Sequence, residues 1–162
     1  MKIQLQVTES NLPKNTCLII PVTEDAHFTP TGQQIDKALK GSLLKLIKAG
    51  RFQAKVGQTL PLFHCEGYEH ILLVGCGNAK KVTESTLRKI VFATLRSLTS
   101  TKTKTALSLM PELNVKEHDT AWKVKFIAEV ATEALYAFDD HKSKKEPKPE
   151  LQTLTLAIAN KK

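Results

Sequence analysis

Residues 122–145 read Trp122-Lys-Val-Lys-Phe-Ile-Ala-Glu-Val-Ala-Thr-Glu-Ala-Leu-Tyr-Ala-Phe-Asp-Asp-His-Lys-Ser-Lys-Lys145 and contain the longest periodic pattern of the chain. Apolar residues recur there at three- and four-residue spacing, which is the pattern of one face of an α-helix. These residues are Val124, Ile127, Ala128, Ala131, Ala134, Leu135 and Phe138. Small alanines on that face would let the helix backbone approach a sheet closely. The pattern predicts a core helix with a polar, basic end, where Asp139, Asp140 and His141 serve the helix terminus.

Alternating and short apolar segments on both sides of this helix predict strands. They cover residues 2–7, 17–22, 58–64, 70–75, 105–110 and 151–158. A first helical region, one kinked helix or two short ones, is predicted after Thr31 as N-cap, with Gly41 interrupting it and Gly50 ending it. A second helix is predicted after Thr83. Strands that alternate with helices indicate a three-layer α/β/α domain with a mixed, mostly parallel sheet.

Local signals refine this outline. Pro21 cannot donate a backbone hydrogen bond, so the second strand is expected to fray or bulge there. The turn between residues 65 and 69 is short enough to pair the strands on either side as a hairpin. Gly75-Cys76-Gly77 lacks the third glycine of a dinucleotide loop, because position 80 is lysine, and is interpreted as a tight turn.

Length and composition are those of one globular domain. The chain has 162 residues, of which 41% are hydrophobic and 25% charged, and a domain of this size buries roughly 70% of its unfolded surface. No apolar run approaches a membrane span, and the amino-terminal residues lack the apolar core of a secretory signal. Cys17, Cys65 and Cys76 form no Cys-x-x-Cys pair and are interpreted as buried, reduced thiols of a cytoplasmic protein.

Catalytic and metal-binding patterns are hard to find. The spacing of zinc ligands is not matched by His64, Cys65, His70 and Cys76. The adjacent His64 and Cys65 would also point to opposite faces of a strand. No Gly-x-Ser-x-Gly, His-Glu-x-x-His or P-loop pattern is present. Taken residue by residue, the sequence predicts a domain without an active site and without a metal site.

The formal charge of +8 is the bulk property that points to a partner. Basic surfaces attract nucleic acid, although scattered lysines more often form an ordinary solvated surface. The candidate contacts to DNA lie in the lysine clusters along and behind the long helix. They are Lys123, Lys125, Lys142, Lys144, Lys145 and Lys148.

Several segments, taken together in order and spacing, resemble the N-terminal domain of the leucyl (cytosol) aminopeptidase family, its bacterial members above all. They are Gly57-Gln-Thr-Leu60, Ile71-Leu-Leu-Val-Gly-Cys-Gly77, Glu112-Leu-Asn-Val-Lys116, Trp122-Lys-Val-Lys125, Glu133-Ala-Leu-Tyr-Ala-Phe-Asp139 and Lys142-Ser-Lys-Lys145. The similarity extends from about Gln4 to Ile158 and so covers nearly the whole chain.

The resemblance implies a macro-like fold for residues 1–162 as one accessory domain. In the family, a separate C-terminal domain with an Asn-Thr-Asp-Ala-Glu-Gly-Arg motif binds two divalent metals, Mn or Zn, and releases N-terminal amino acids from peptides. That motif is absent here, so the chain is interpreted as a truncated or separately expressed N-terminal domain without catalytic or metal-binding residues.

The resemblance also implies partners. Family members are cytoplasmic homo-hexamers of paired trimers, in which N-terminal domains contribute to contacts between trimers, and in bacteria this region contributes to DNA binding. We therefore expect a role in assembly and a possible double-stranded DNA partner, but no membrane. Two alternatives are a stand-alone basic DNA-binding module and, by analogy of fold, a nucleotide or ADP-ribose binder.

Overall fold

The computed structural model describes residues 1–8, 15–65, 67–140 and 148–159. Within these ranges six strands form one sheet in the order β1-β6-β5-β2-β4-β3. Their bounds are β1 Lys2–Thr8, β2 Cys17–Val22, β3 Thr59–Phe63, β4 His70–Gly75, β5 Thr105–Ser108 and β6 Thr153–Ala159. All neighbours are parallel except β3, which pairs antiparallel with β4. The predicted hairpin and the mixed, mostly parallel sheet are both confirmed.

Four α-helices in the described ranges cover the two faces of the sheet. They are α1 Pro30–Ala38, α2 Ser42–Lys48, α3 Glu84–Ser100 and α4 Thr120–Asp139. Successive residues of β2 face opposite sides. Cys17 and Ile19 pack in the core beneath α3 and α4, whereas Leu18 and Ile20 pack in a separate core beneath α1 and α2. Two cores on either side of one sheet confirm the three-layer α/β/α architecture.

The long helix α4 is the core element that its periodicity predicts. Asp119 caps its first turn by accepting a hydrogen bond from the Trp122 N–H at 2.8 Å. Ala131 and Ala134 have no exposed surface and Ile127 is 1% exposed, so these residues of the stripe lie deep in the packed layer. Ala128 of the same stripe is only partly buried. Asp139 is the last helical residue and Asp140 the C-cap, whereas His141 lies outside the described residues.

The α1–α2 region is two short helices, and its N-cap differs from the prediction. The Thr29 side chain, not that of Thr31, accepts a hydrogen bond from the Gly32 N–H at 3.3 Å. Thr31 lies two residues after the cap, inside the helix, because Pro30 takes the first helical position, which suits its fixed φ. Asp36 of α1 is buried and accepts from the Leu43 N–H at 2.9 Å, so it caps α2 from the preceding helix.

Two predicted strand ends need correction. The register of β2 with β4 continues through Pro21 opposite Val74 without a bulge. The Leu109 N–H donates to Ile19 O, so alternation directs the nitrogen of Pro21 to the same side, beyond the end of β5. The strand β2 therefore loses no hydrogen bond at Pro21.

The predicted strand 105–110 ends at Ser108, because residues 110–112 form a 3₁₀ turn.

The connector between α2 and β3, residues 51–57, is a packed part of the fold although most of its residues are polar or small. The side chain of Phe52 is 2% exposed and that of Ala54 is fully buried. Both belong to the core beneath α1 and α2.

No helix in the described residues is long and apolar enough to cross a membrane.

Candidate functional site

The sheet has a topological switch point between β2 and β5. The chain leaves β2 towards β4 on one side and leaves β5 towards β6 on the other. In open α/β sheets the crevice outside the carboxyl ends of such strands is the usual place for a ligand. This crevice is therefore the first place to look for a site.

The loop after β4 is filled by the protein itself. The Gly77 N–H donates to Ala54 O at 2.9 Å, and the Gly57 N–H donates to Gly75 O at 3.1 Å. A Cβ at Gly75 would lie 2.1 Å from Lys55 O, and Gly77 has φ +69. These glycines allow the close approach of the connector. The predicted tight turn is wrong, because residues 76–78 form neither a hydrogen-bonded turn nor a bend; their backbone bonds instead to Val22 and Ala54.

The amino terminus of α1 is also occupied by the protein. Helix N-termini bind anions because their N–H groups are free. Here Glu112, which follows β5, accepts a hydrogen bond from the Thr31 N–H through Oε1 at 2.9 Å. A carboxylate of the chain thus stands where the anion of a ligand would bind.

What remains of the crevice is a shallow cleft of about 210 Å³, below the roughly 300–1,000 Å³ of common small-molecule sites. Its lining is mostly apolar. It includes Pro21, Thr23, His27, Phe28, Pro30, Val82, Glu112 and Leu113. The cleft offers room for a small group, and its polar lining consists of Thr23, His27, Thr29, Glu112 and Asn114.

Asp25 and His27 at the rim lie together without forming a nucleophilic site. His27 Nδ1 lies 2.8 Å from Asp25 Oδ2. The hydroxyl of Thr23 also donates to Asp25, and these hydrogen bonds, that of Thr23 first, lower the pKa of the Asp25 carboxyl. The Thr23 hydroxyl and the His27 imidazole both bind the Asp25 carboxylate, so the order hydroxyl, imidazole, carboxylate of a nucleophilic triad is not formed.

The cysteines are not activated. Burial raises the pKa of the Cys17 thiol and raises that of Cys76 to about 12. Cys65 is half-buried, and desolvation raises its pKa as well. Cys17 and Cys76 are the buried thiols predicted, but Cys65 is more accessible than expected. Within the described ranges no three His, Cys, Asp or Glu side chains are grouped to hold a metal.

His70 is buried in an apolar setting. It is 1% exposed, its ring stacks on Phe63 with centroids 5.0 Å apart, and neither ring nitrogen has a hydrogen-bond partner. Desolvation lowers its pKa from the ordinary 6.5, and the Glu69 carboxylate opposes this only in part. His70 is therefore held neutral as a packing residue.

This burial predicts a loss of stability in mild acid. The unfolded chain binds a proton at His70 below about pH 6.5 while the folded chain resists it, so the free energy of unfolding falls as the pH decreases. Between about pH 7.5 and 5.5, His70→Phe is expected to remove about 1 kcal/mol of that fall. Urea unfolding at both pH values measures it; an unchanged pH dependence would contradict this account, and the exposed His64→Phe is the control.

The predicted lysines do not form one patch. Lys123 is 8% exposed and its Nζ donates to Leu113 O at 2.7 Å. Lys125 is exposed beside Glu84 and Glu129. Lys148 is exposed near the start of β6, and Lys142, Lys144 and Lys145 lie outside the described residues. Lys123 is thus part of the packing between α4 and the 3₁₀ turn.

Charge is instead divided between the two helical layers. Residues 30–58 contain six exposed basic side chains and one acidic one, the buried Asp36, for a formal charge of +5. Residues 84–100 and 117–140, which form the α3–α4 layer, contain five basic and seven acidic side chains, for a formal charge of −2. We call the exposed set of the first layer the basic face: Lys37, Lys40, Lys45, Lys48, Arg51 and Lys55. Sequence reasoning missed it because these residues stand three to five positions apart within residues 37–55 and form no continuous run.

On the opposite layer the charges compensate one another. Arg88 of α3 donates through Nη1 to Glu133 of α4 at 2.9 Å, and its second nitrogen contacts the other carboxylate oxygen. Arg88 and Arg96 also lie over the rings of Phe92 and Phe138. This layer holds Arg88 and Arg96 in contacts between helices, and its exposed lysines are Lys89 and Lys125.

Fold and site together define a macro-like α/β domain whose crevice is closed by its own chain. A macrodomain, Mycobacterium tuberculosis DarG, matches 95% of this chain and 96% of its own, with a TM-score of 0.64 and 9% identity. The model of the cytosol aminopeptidase family N-terminal domain matches residues 19–145. This chain belongs to that family, and the region matched is its N-terminal domain.

Solved structures agree on the fold. A mutant of tomato leucine aminopeptidase matches 98% of this chain with a TM-score of 0.72 and 20% identity. The bottromycin maturation enzyme BotP in complex with Mn matches 88% of it with a TM-score of 0.59 and 20% identity. The matched regions are 32% and 26% of those chains, so this chain spans about a third of the tomato enzyme.

Proposed function

We propose that this chain is the non-catalytic N-terminal domain of a cytoplasmic metallo-aminopeptidase that releases N-terminal amino acids from peptides. The observation that carries the proposal is the family match over residues 19–145. Two divalent metals, Mn or Zn, would belong to a separate catalytic domain, because the described residues include no fitting ligand group. The self-filled crevice and the buried thiols support a domain without chemistry of its own.

The gene provides the test. Reading the frame beyond the codon for Lys162 is expected to reveal a catalytic domain with the Asn-Thr-Asp-Ala-Glu-Gly-Arg motif. An unrelated domain in that position would contradict the proposal.

Assembly is the role that we propose for the domain within the enzyme, as part of a homo-hexamer of paired trimers. A protein that joins these residues to the catalytic domain is expected to sediment as a hexamer. Deleting residues 1–162 is expected to leave trimers. Hexamers that persist after the deletion would contradict the assembly role.

DNA binding is a second candidate, and the uneven charge favours it. The basic face presents six exposed cations on one helical layer with no exposed acid among residues 30–58. Each phosphate contact contributes a slope of about −0.9 to the dependence of log K on log salt concentration. We therefore propose α1, α2 and the connector, rather than α4, as the contact surface for DNA.

This placement makes a salt-dependent prediction. The triple variant Lys45→Gln, Lys48→Gln, Arg51→Gln is expected to reduce that slope by up to about 2.7 for duplex DNA. The control Lys89→Gln, Lys125→Gln, Lys148→Gln removes the same charge elsewhere and should leave most of the slope. Fluorescence anisotropy across a salt series measures both; equal losses would exclude the basic face as the specific surface.

Nucleotide or ADP-ribose binding has less support. The likeness to a macrodomain is one of fold. Glu112 occupies the α1 terminus, and the connector fills the loop after β4. We expect calorimetric titration with ADP-ribose to show no binding.

A further inference from the structure

The two edges of the sheet are protected differently. Exposed edges invite pairing with another chain, and proteins block them with proline, charge or short strands. Gln58 O accepts from the Gly75 N–H, so alternation turns the backbone groups of residues 59, 61 and 63 outward from β3. Pro61 therefore removes the central donor of that edge. The seven-residue β1 has no proline and one charged residue, Lys2.

The outward backbone groups of β1 can be identified. The Lys2 N–H donates to Gln152 O at 2.7 Å, so Lys2 points inward and alternation turns Ile3, Leu5 and Val7 outward. Within the described residues, β1 pairs with β6 alone. The edge thus presents a row of N–H and C=O groups on alternate residues.

The side chains of this edge are apolar on one face. Ile3 packs against the core beneath α3 and α4, and Leu5 and Val7 continue that face. Leu5 is 59% exposed and Val7 43%. Tyr136, on the neighbouring side of the molecule, is 74% exposed. An open edge flanked by exposed apolar side chains is the surface of a strand-pairing interface.

We propose that β1 pairs antiparallel with β1 of a second copy, about a two-fold axis at Leu5. This register sets Ile3 opposite Val7 and Leu5 opposite its own copy. Each such pair exchanges both N–H···O=C bonds, which satisfies all the outward groups of the strand. A shift of two residues in one direction would set Val7 opposite Met1, which lies outside the strand. A shift in the other direction would set Ile3 opposite a position beyond the strand end at Thr8.

The side chains and charges of β1 also fit a second copy of β1 in this register. In this register Lys2 lies at opposite ends of the pair, so no like charges meet. Gln4 faces Gln6, whose amides can bond to one another, and Leu5 meets Leu5 on the other face. The two sheets join into one, and both copies of α4 lie on the same side. The inference deepens the proposed assembly role and rests on it.

Cysteine cross-linking tests the register. Directly opposed residues of a hydrogen-bonded pair have Cα atoms about 5.5 Å apart, within disulfide range. Leu5→Cys is therefore expected to give a disulfide-linked dimer under mild oxidation. Gln4→Cys is the matched control, because its two copies are offset by two residues and lie about 8 Å apart or more. Equal cross-linking of both variants would overturn the proposal.

Sedimentation tests the edge independently. The chain is expected to dimerise as its concentration rises, and Leu5→Lys, which sets like charges opposite each other, to weaken the dimer about tenfold or more. Phe63→Lys places the same charge on the other edge and should leave the dimer intact. Circular dichroism confirms folding; if Leu5→Lys does not fold, the cysteine pair still decides.

The outcomes separate this surface from the wider assembly role. A dimer that Leu5→Lys leaves intact would overturn the β1 interface and leave assembly to another surface. A wild-type chain that stays monomeric would overturn the interface as well. Failure of the assembly role itself would appear as hexamers that persist without residues 1–162.

Discussion

Replacing Gly75 with alanine is expected to lower the free energy of unfolding by about 3 kcal/mol or more, the upper range for overpacking. An alanine Cβ would stand 2.1 Å from Lys55 O and 2.6 Å from the Ala54 carbonyl carbon. Both are backbone atoms, so no side chain can rotate away. The connector would have to leave the end of β4, with the loss of the hydrogen bond from Gly77 N–H to Ala54 O.

Urea unfolding with Gly67→Ala as the control measures this effect. Gly67 has φ +87 and nothing within 4 Å of an added Cβ, so its substitution costs only the left-handed backbone strain of about 1 kcal/mol. Equal losses in the two variants would mean that the connector does not press against Gly75.

Replacing Phe52 with alanine is expected to cost about 3–5 kcal/mol, the usual range for a buried phenylalanine. The ring is 2% exposed and belongs to the core beneath α1 and α2. Its loss leaves a cavity on the connector side of that core. A domain of ordinary stability has only about 5–15 kcal/mol in total, so the variant is expected to be close to unfolding.

The control is Phe63→Ala, which removes a phenylalanine that is 54% exposed. Its stacking on His70 is worth about 1 kcal/mol. Thermal unfolding of both variants gives the comparison. If Phe52→Ala loses no more stability than Phe63→Ala, the connector is not anchored in the core.

Together these variants test whether the connector is anchored against the end of β4. Gly75→Ala displaces the connector from the end of β4. Phe52→Ala removes the side chain that holds the connector in the core beneath α1 and α2. Glu112 closes the neighbouring side at the α1 terminus. A sheet whose ligand crevice is filled by its own chain is suited to an accessory role.

The sequence predicts the elements with strong periodicity. The buried stripe of α3, the stripe of α4 and the apolar strands β2 and β4 lie where their patterns place them. Their apolar residues repeat with the period of the element and are numerous enough to outweigh local exceptions. The β3–β4 hairpin was predictable because the turn between the two apolar segments is short.

Single buried residues outside periodic segments could not be predicted. Phe52 and Ala54 stand among polar neighbours, so nothing in their spacing distinguishes an anchored connector from an exposed one. Lys123 resembles any solvated lysine until the fold sets Leu113 O 2.7 Å from its Nζ. The basic face depends on topology, because α1, α2 and the connector become one layer only after folding.

We expect this chain to have no peptidase activity by itself, and the decisive measurement is the hydrolysis of leucine p-nitroanilide by the purified chain. The assay is run without metal and with added Mn²⁺ or Zn²⁺, and sedimentation confirms that the chain is folded. No turnover above that of the buffer is expected from the purified chain in any condition. Metal-dependent release of p-nitroaniline by residues 1–162 would contradict this expectation.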